Sequence, residues 1–287
     1  MNVERTGDRL FRMAIAGFAG VILVAVLALA WQLARESAST WKAFGPSFLW
    51  TSTWDPVADV FGALPFLYGT VVSSLLALLI AVPLGVGAAV FLTELAPKRV
   101  ADLLMFAIEL LAAVPSVILG LMGIFILVPF MRALGSPYGV GMLTAGLILS
   151  FMILPYITTI TREVLLTVPR PLKEAMYALG ATRWEVVRGV SLPFARSGIV
   201  GAVFLSLGRA LGETMAVTMV IGNTPRISAS LFDPGYSMAA VIANELAEAA
   251  SDAHLSALVA IGLTLMAVTI VVNGAARLML SRLGRRR

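Results

Sequence analysis

The chain contains no cysteine and one histidine, His254. The first absence removes disulfides, thiol nucleophiles and thiolate metal centres, and the second removes any multi-histidine metal site. Charge is also scarce. Only 13% of the 287 residues are Asp, Glu, Lys or Arg, against about a quarter in a soluble globular domain. The lysines are Lys42, Lys98 and Lys173, and they follow Trp41, Pro97 and Leu172. No Gly-Lys-Ser/Thr phosphate-binding loop is therefore present, and any ATP hydrolysis linked to this chain belongs to a partner. No clustered His, Asp or Cys marks an active site, so we expect no enzyme activity, no catalytic residue and no cofactor or metal in the chain itself.

What is abundant is apolar: 59% of residues are hydrophobic and the mean hydropathy is +0.94. Apolar runs fall at about 13–34, 66–92, 103–131, 142–160, 198–221 and 255–280. Each approaches or exceeds the roughly 20 residues a membrane-spanning helix requires. The expected fold is all-α, a polytopic membrane protein of six transmembrane helices filling 13–280. The first run follows Arg5, Arg9 and Arg12 and competes with a signal peptide, but it exceeds the 7–15 apolar residues of a signal core. It is read as a retained span. Pro83 lies inside the second run, where neighbouring helices must accommodate it, Pro115 breaks the third and Pro155 lies inside the fourth. Gly120 and Gly123 permit close helix packing in the third. Residues 94–102 read as a short turn. Trp41, Trp50 and Trp54 suit a membrane–water interface, and 238–250 reads as a helix outside the spans.

The cations give an orientation. Of the 21 Lys and Arg, Arg35, Lys42, Arg132 and Arg226 occupy one set of loops and Arg209 lies in a span. All others occupy the opposite set of loops and ends. The positive-inside rule then predicts that the N-terminus (1–12), the segment 162–195 and the basic tail (281–287) are cytoplasmic, with 35–65 and 222–254 on the outer side. The pI near 10.0 follows from this asymmetry, so the partner it implies is a lipid bilayer and not nucleic acid.

Within 162–195, Pro171 can open a helix. Leu172, Ala175, Met176 and Leu179 form one apolar stripe, and Gly180 ends it. Thr182 and Glu185 have capping-box spacing, which starts a second helix that Pro193 is expected to close. By composition alone this hairpin is equally well a solvated loop between spans. Glu174-Ala175-Met176, Gly180, Val190, Leu192 and Pro193, however, resemble the EAA loop of ABC-importer permeases in every spacing, with Met176 in place of the second alanine and Val190 in place of isoleucine. The resemblance implies a coupling helix that docks on an ATP-binding subunit through Glu174, Ala175, Met176, Gly180, Leu192 and Pro193. A short amphipathic helix is also what helix-in-groove recognition requires.

The resemblance extends over most of the chain. Residues 64–70, 110–116, 208–217 and 241–248 are similar to the phosphate-transport permeases of that family. The implied protein is a permease subunit of an ATP-driven inorganic phosphate importer in the cell inner membrane, working by alternating access. The implied partners are a dimer of ATP-binding subunits holding ATP and Mg, a second similar permease, and a periplasmic phosphate-binding protein. Molybdate or sulfate is the alternative substrate. A secondary transporter is a further alternative, but it would not need the hairpin.

Three ionisable residues fall within the predicted spans: Glu109, Arg209 and Glu213. Arg209 lies about 20 Å along the helix from Arg196. Glu213, four residues on, is expected on the same face, and together they would form a nearly neutral unit that can stay in the membrane. A guanidinium can donate paired hydrogen bonds to an oxyanion. Arg209 and Glu213 are thus candidates for the substrate pathway, or alternatively an ion pair that fixes helix packing. Glu109 could line the pathway or snorkel. Thr214, with Ser116 and Thr218, could donate a hydroxyl or bond its own helix. Gly208 and Gly212 form a small-xxx-small pair. His254, beside Asp252, reads as a helix-end cap or an interface contact.

Overall fold

A computed structural model describes residues 2–284; of the basic tail, Arg285, Arg286 and Arg287 lie outside the described residues. The chain folds into helices α1 (Asn2–Glu36), α2 (Ala38–Phe44), α3 (Leu64–Val90), α4 (Lys98–Ala113), α5 (Ser116–Met122), α6 (Val128–Ala133), α7 (Met142–Leu166), α8 (Arg170–Ala178), α9 (Arg183–Val186), α10 (Leu192–Leu211), α11 (Met215–Val220), α12 (Met238–Glu245) and α13 (Asp252–Gly284). Six helical stretches among the described residues are long and apolar enough to cross a membrane: Phe11–Glu36, Leu64–Leu95, Ser116–Ala133, Met142–Leu166, Arg183–Leu211 and Asp252–Ser281. The expected number of spans is met, with two changes of boundary.

The third span starts later than its apolar run. Val114 and Pro115 are extended, with ψ of 127° and 138°, because the residue before a proline is driven out of the helical region. The run therefore divides into α4, which carries Glu109, and a separate span beginning at Ser116. The fifth span starts earlier than expected. Pro193 does not close the second hairpin helix; it lies in the first turn of α10. A π-helical turn, Val187–Ser191, joins α9 to α10 and lets the ladder pass a residue that lacks an N–H.

Packing centres on α3 and α7. Ala77, Ala81, Leu149, Ile153 and Ile157 are fully or nearly fully buried in one cluster with Val217 and Val220 of α11. Small residues set the approach of the two long helices: a Cβ on Gly146 would stand 2.8 Å from Leu76 Cβ, and one on Gly85 2.9 Å from Ile157 Cγ2. Close backbone contact through glycine is how helices gain dispersion energy where no hydrophobic driving force separates them from lipid. α1 rests on α13 and leaves Phe18, Val21, Ile22 and Leu23 exposed, as suits a helix surrounded by lipid.

A second core lies between the two long connecting segments. Phe48, Phe61 and Phe66 pack with Tyr236, Met238, Leu258 and Ile261, all buried. Trp54 meets Phe61 and Phe66 edge-on at 4.9 and 4.8 Å. Residues 222–237 and 249–251 are irregular, so the helix expected over 238–250 is shortened to α12 with one 3₁₀ turn, Leu246–Glu248, after it.

Candidate functional site

The first helix of the hairpin and both of its caps form as the sequence predicts; its second helix runs on through the π-helical turn into α10. α8 enters through Pro169 and Pro171, and none of its residues is buried. Gly180 takes φ +83°, where a side chain would be strained. The Ala181 N–H donates to Met176 O at 3.1 Å and the Gly180 N–H to Tyr177 O at 2.9 Å, which is the paired closure of a Schellman cap. The capping box is complete: Glu185 N donates to Thr182 Oγ1 at 3.4 Å and Thr182 N to Glu185 Oε2 at 2.7 Å. These two local devices pin a hairpin whose apolar stripe is mostly exposed, with Leu172, Ala175 and Leu179 open and Met176 half-buried. Leu179 is 84% exposed. Glu174 and Ala175 are also exposed, while Leu172, Met176, Val190 and Pro193 line a shallow groove of about 540 Å³. Leu192 packs inward against Leu165, Val187 and Ala195.

One residue that sequence reasoning placed in a plain turn holds this hairpin to the spans. Glu94 lies in a π-helical turn, Phe91–Leu95, at the end of the second span. Its Oε1 accepts from Lys173 Nζ at 2.6 Å and from Ser191 Oγ at 2.8 Å.

Arg209 lies two residues before α10 ends. Its guanidinium carbon sits over the ring of Tyr156, 4.5 Å from the centroid. Tyr156, Ser206, Gly208, Thr269 and Asn273 join it around a cleft of about 410 Å³ between α7, α10 and α13. Ser206 Oγ is buried there without a hydrogen-bond partner. Of these neighbours, only the glycine was singled out in the sequence. Asn273 and Thr269 carried a legible signal, being polar side chains within an apolar run.

The expected pairing of Arg209 with Glu213 is not formed. α10 stops at Leu211, the chain turns through Gly212–Thr214, and α11 begins at Met215. Glu213 is therefore not one turn further along Arg209's own helix. Its Oε1 instead accepts from Ala216 N at 3.3 Å, and no ion pair joins the two among the described residues. Thr214 Oγ1 donates to Gly212 O at 3.4 Å and Thr218 Oγ1 to Thr214 O at 2.8 Å, so both hydroxyls bond their own backbone. Glu109 is exposed on α4 and does not line the Arg209 cleft.

His254 makes more than a helix-end cap. Its Nε2 lies 3.1 Å from Glu245 Oε2, the ring stacks on Phe61 at 5.5 Å, and Trp54 Nε1 donates to the same carboxylate oxygen at 2.9 Å.

Residues 81–285 match the family of binding-protein-dependent transport system inner membrane components. This chain belongs to that family. It is accordingly a multi-pass inner-membrane component, in keeping with its six apolar helices. Similar relatives of this permease are the phosphate transport system permease proteins PstC of Mesorhizobium japonicum, 46% identical over 97% of this chain and 91% of the relative, and of Xylella fastidiosa, 43% identical over 99% and 93%. That of Pasteurella multocida is 43% identical over 96% and 92%. The permease also shares its fold with solved importers. The inward-facing MetNI methionine ABC transporter matches with a TM-score of 0.58 at 21% identity, over 77% of this chain and 94% of that one. The bacterial alginate ABC transporter, in complex with its alginate pentasaccharide-bound periplasmic protein, matches with a TM-score of 0.60 at 17% identity, over 80% and 83%.

Proposed function

We propose that the chain is the membrane-spanning subunit of an ATP-driven importer of inorganic phosphate. The observation that carries the substrate is similarity along almost the whole chain to permeases named for phosphate transport. The complex comprises a dimer of ATP-binding subunits that bind ATP and Mg, a second similar permease and a periplasmic phosphate-binding protein. Both termini and the hairpin lie on the cytoplasmic side, and segments 35–65 and 222–254 meet the binding protein.

Glu174, Ala175, Met176 and Gly180 of the hairpin, with Leu192 and Pro193 behind it, receive the movement of the ATP-binding subunit. An exposed apolar stripe on a rigid, doubly capped hairpin supports that role, because such a stripe is stable in water only if something covers it part of the time.

Arg209 contacts the passing anion. A guanidinium over the ring of Tyr156 is steadied by the ring's negative face, and an aromatic partner, unlike a carboxylate, leaves N–H donors for two phosphate oxygens. Asn273 and the unpaired Ser206 hydroxyl extend the polar lining. Glu213 and Thr214 shape the break beside Arg209, and Glu109 serves the pathway only if another conformation or the second permease brings it there. Binding must stay weak enough for release, which a single cation in an open cleft satisfies.

The test is uptake of labelled phosphate, with sulfate and molybdate as competitors, in cells lacking and then regaining this chain. Restored uptake that only unlabelled phosphate competes away is the expected result. Competition by molybdate or sulfate at equal concentration would reassign the substrate.

A further inference from the structure

Glu94 belongs neither to the docking stripe nor to the Arg209 cleft, yet its carboxylate is largely buried. Its side chain is 10% exposed and that of Lys173 20%, and Ser191 is fully buried. One oxygen at the end of the second span therefore bonds two other pieces of chain: the helix that carries Glu174 and the start of the span that carries Arg209.

The tie matters because α8 has little else to hold it. None of its residues is buried, so apolar packing alone would leave it free to slide. A largely desolvated ion pair is directional, and removing one partner strands the other charge in a dry site. Both anchors also sit in π-helical turns, Phe91–Leu95 and Val187–Ser191, where the helical ladder is locally widened and adjustable.

We infer that Glu94 is a positioning residue for transport: it transmits displacement of the coupling helix to the second and fifth spans together. A push on α8 moves Lys173, Lys173 moves the Glu94 carboxylate, and Ser191 follows because it bonds the same oxygen. The inference rests on the coupling role proposed for the hairpin.

The experiment reconstitutes the whole transporter with its binding protein in proteoliposomes and measures phosphate uptake and ATP hydrolysis on the same sample. The readout is phosphate moved per ATP, which a merely structural contact would not shift once assembly is matched. Glu94→Lys and Lys173→Glu are each expected to lower that ratio about tenfold, and the double swap to regain at least about half of it, since the swap restores an opposite-charge pair. Glu94→Gln keeps a hydrogen-bonding side chain and should lower the ratio about threefold. Should the charge variants fail to assemble, Ser191→Ala decides, with an expected loss of about twofold from removing one neutral donor. An unchanged ratio in Glu94→Gln or Ser191→Ala, or a double swap no better than either single variant, overturns the inference. Glu174→Arg, measured alongside, separates the two readings. Lost ATPase stimulation there with unchanged Glu94 variants leaves docking intact and removes the tie, whereas retained stimulation removes the docking role itself.

Discussion

The guanidinium carbon of Arg209 lies over the ring of Tyr156, 4.5 Å from its centroid, and the two residues are 53 positions apart in sequence. The ring holds the cation without neutralising it. A carboxylate in the same place would satisfy the guanidinium's donors and compete with an incoming anion, whereas an aromatic face leaves them free.

Arg209→Ala is therefore expected to abolish phosphate uptake while the complex still assembles. Tyr156→Leu should reduce uptake about three- to tenfold, the range that loss of about 1 kcal/mol of cation–π orientation implies. Co-purification of the partner subunits checks assembly and labelled-phosphate uptake checks function. Normal uptake by a well-expressed Arg209→Ala protein would exclude the anion role and leave only a packing role.

The exposed Glu174 offers a cleaner probe of docking than the buried parts of the hairpin. Glu174→Arg reverses an exposed charge that forms no ion pair among the described residues, so stability should change by no more than about 0.5 kcal/mol. ATPase stimulation by loaded binding protein in the reconstituted complex should nevertheless be lost. Retained stimulation would argue that this residue does not couple.

The second core, around Tyr236, makes a pH prediction. Burial raises the Tyr236 phenol to about 12 from its ordinary 10, an effect that the Asn244 amide partly offsets and the nearby Glu245 carboxylate reinforces. A raised folded-state value means that the stabilisation is fully present below pH 10 and is lost as pH rises through 12. The emission maximum of Trp41 and Trp54, which pack in this core, should shift to longer wavelength between pH 10 and 12. Tyr236→Phe should show a smaller alkaline shift, and an equal one would count against the assignment.

The features that were legible in the sequence are those whose cause is local. Gly180 can adopt φ +83° at little cost wherever it stands, and Thr182 finds Glu185 three residues on, so the first helix of the hairpin and both caps could be drawn residue by residue. The number of spans followed from the length of each apolar run. Pro115 announced a break, but not that the residues before it would form a separate helix.

The rest required distant parts of the chain to meet. Helical spacing put Glu213 beside Arg209, and the helix ended between them, because packing of α11 against α5 and α7 takes the chain in a new direction. Tyr156, not Glu213, became the partner of the arginine, and Glu94 became the tie of the hairpin through contacts 79 and 97 residues away. By itself the sequence determined the helical class, the number of spans and the caps of the hairpin, since hydropathy and capping act over a few residues. Only the tertiary structure decided which charges find which partners. In a medium that solvates charge poorly, that choice depends on where helices end and how closely they pack.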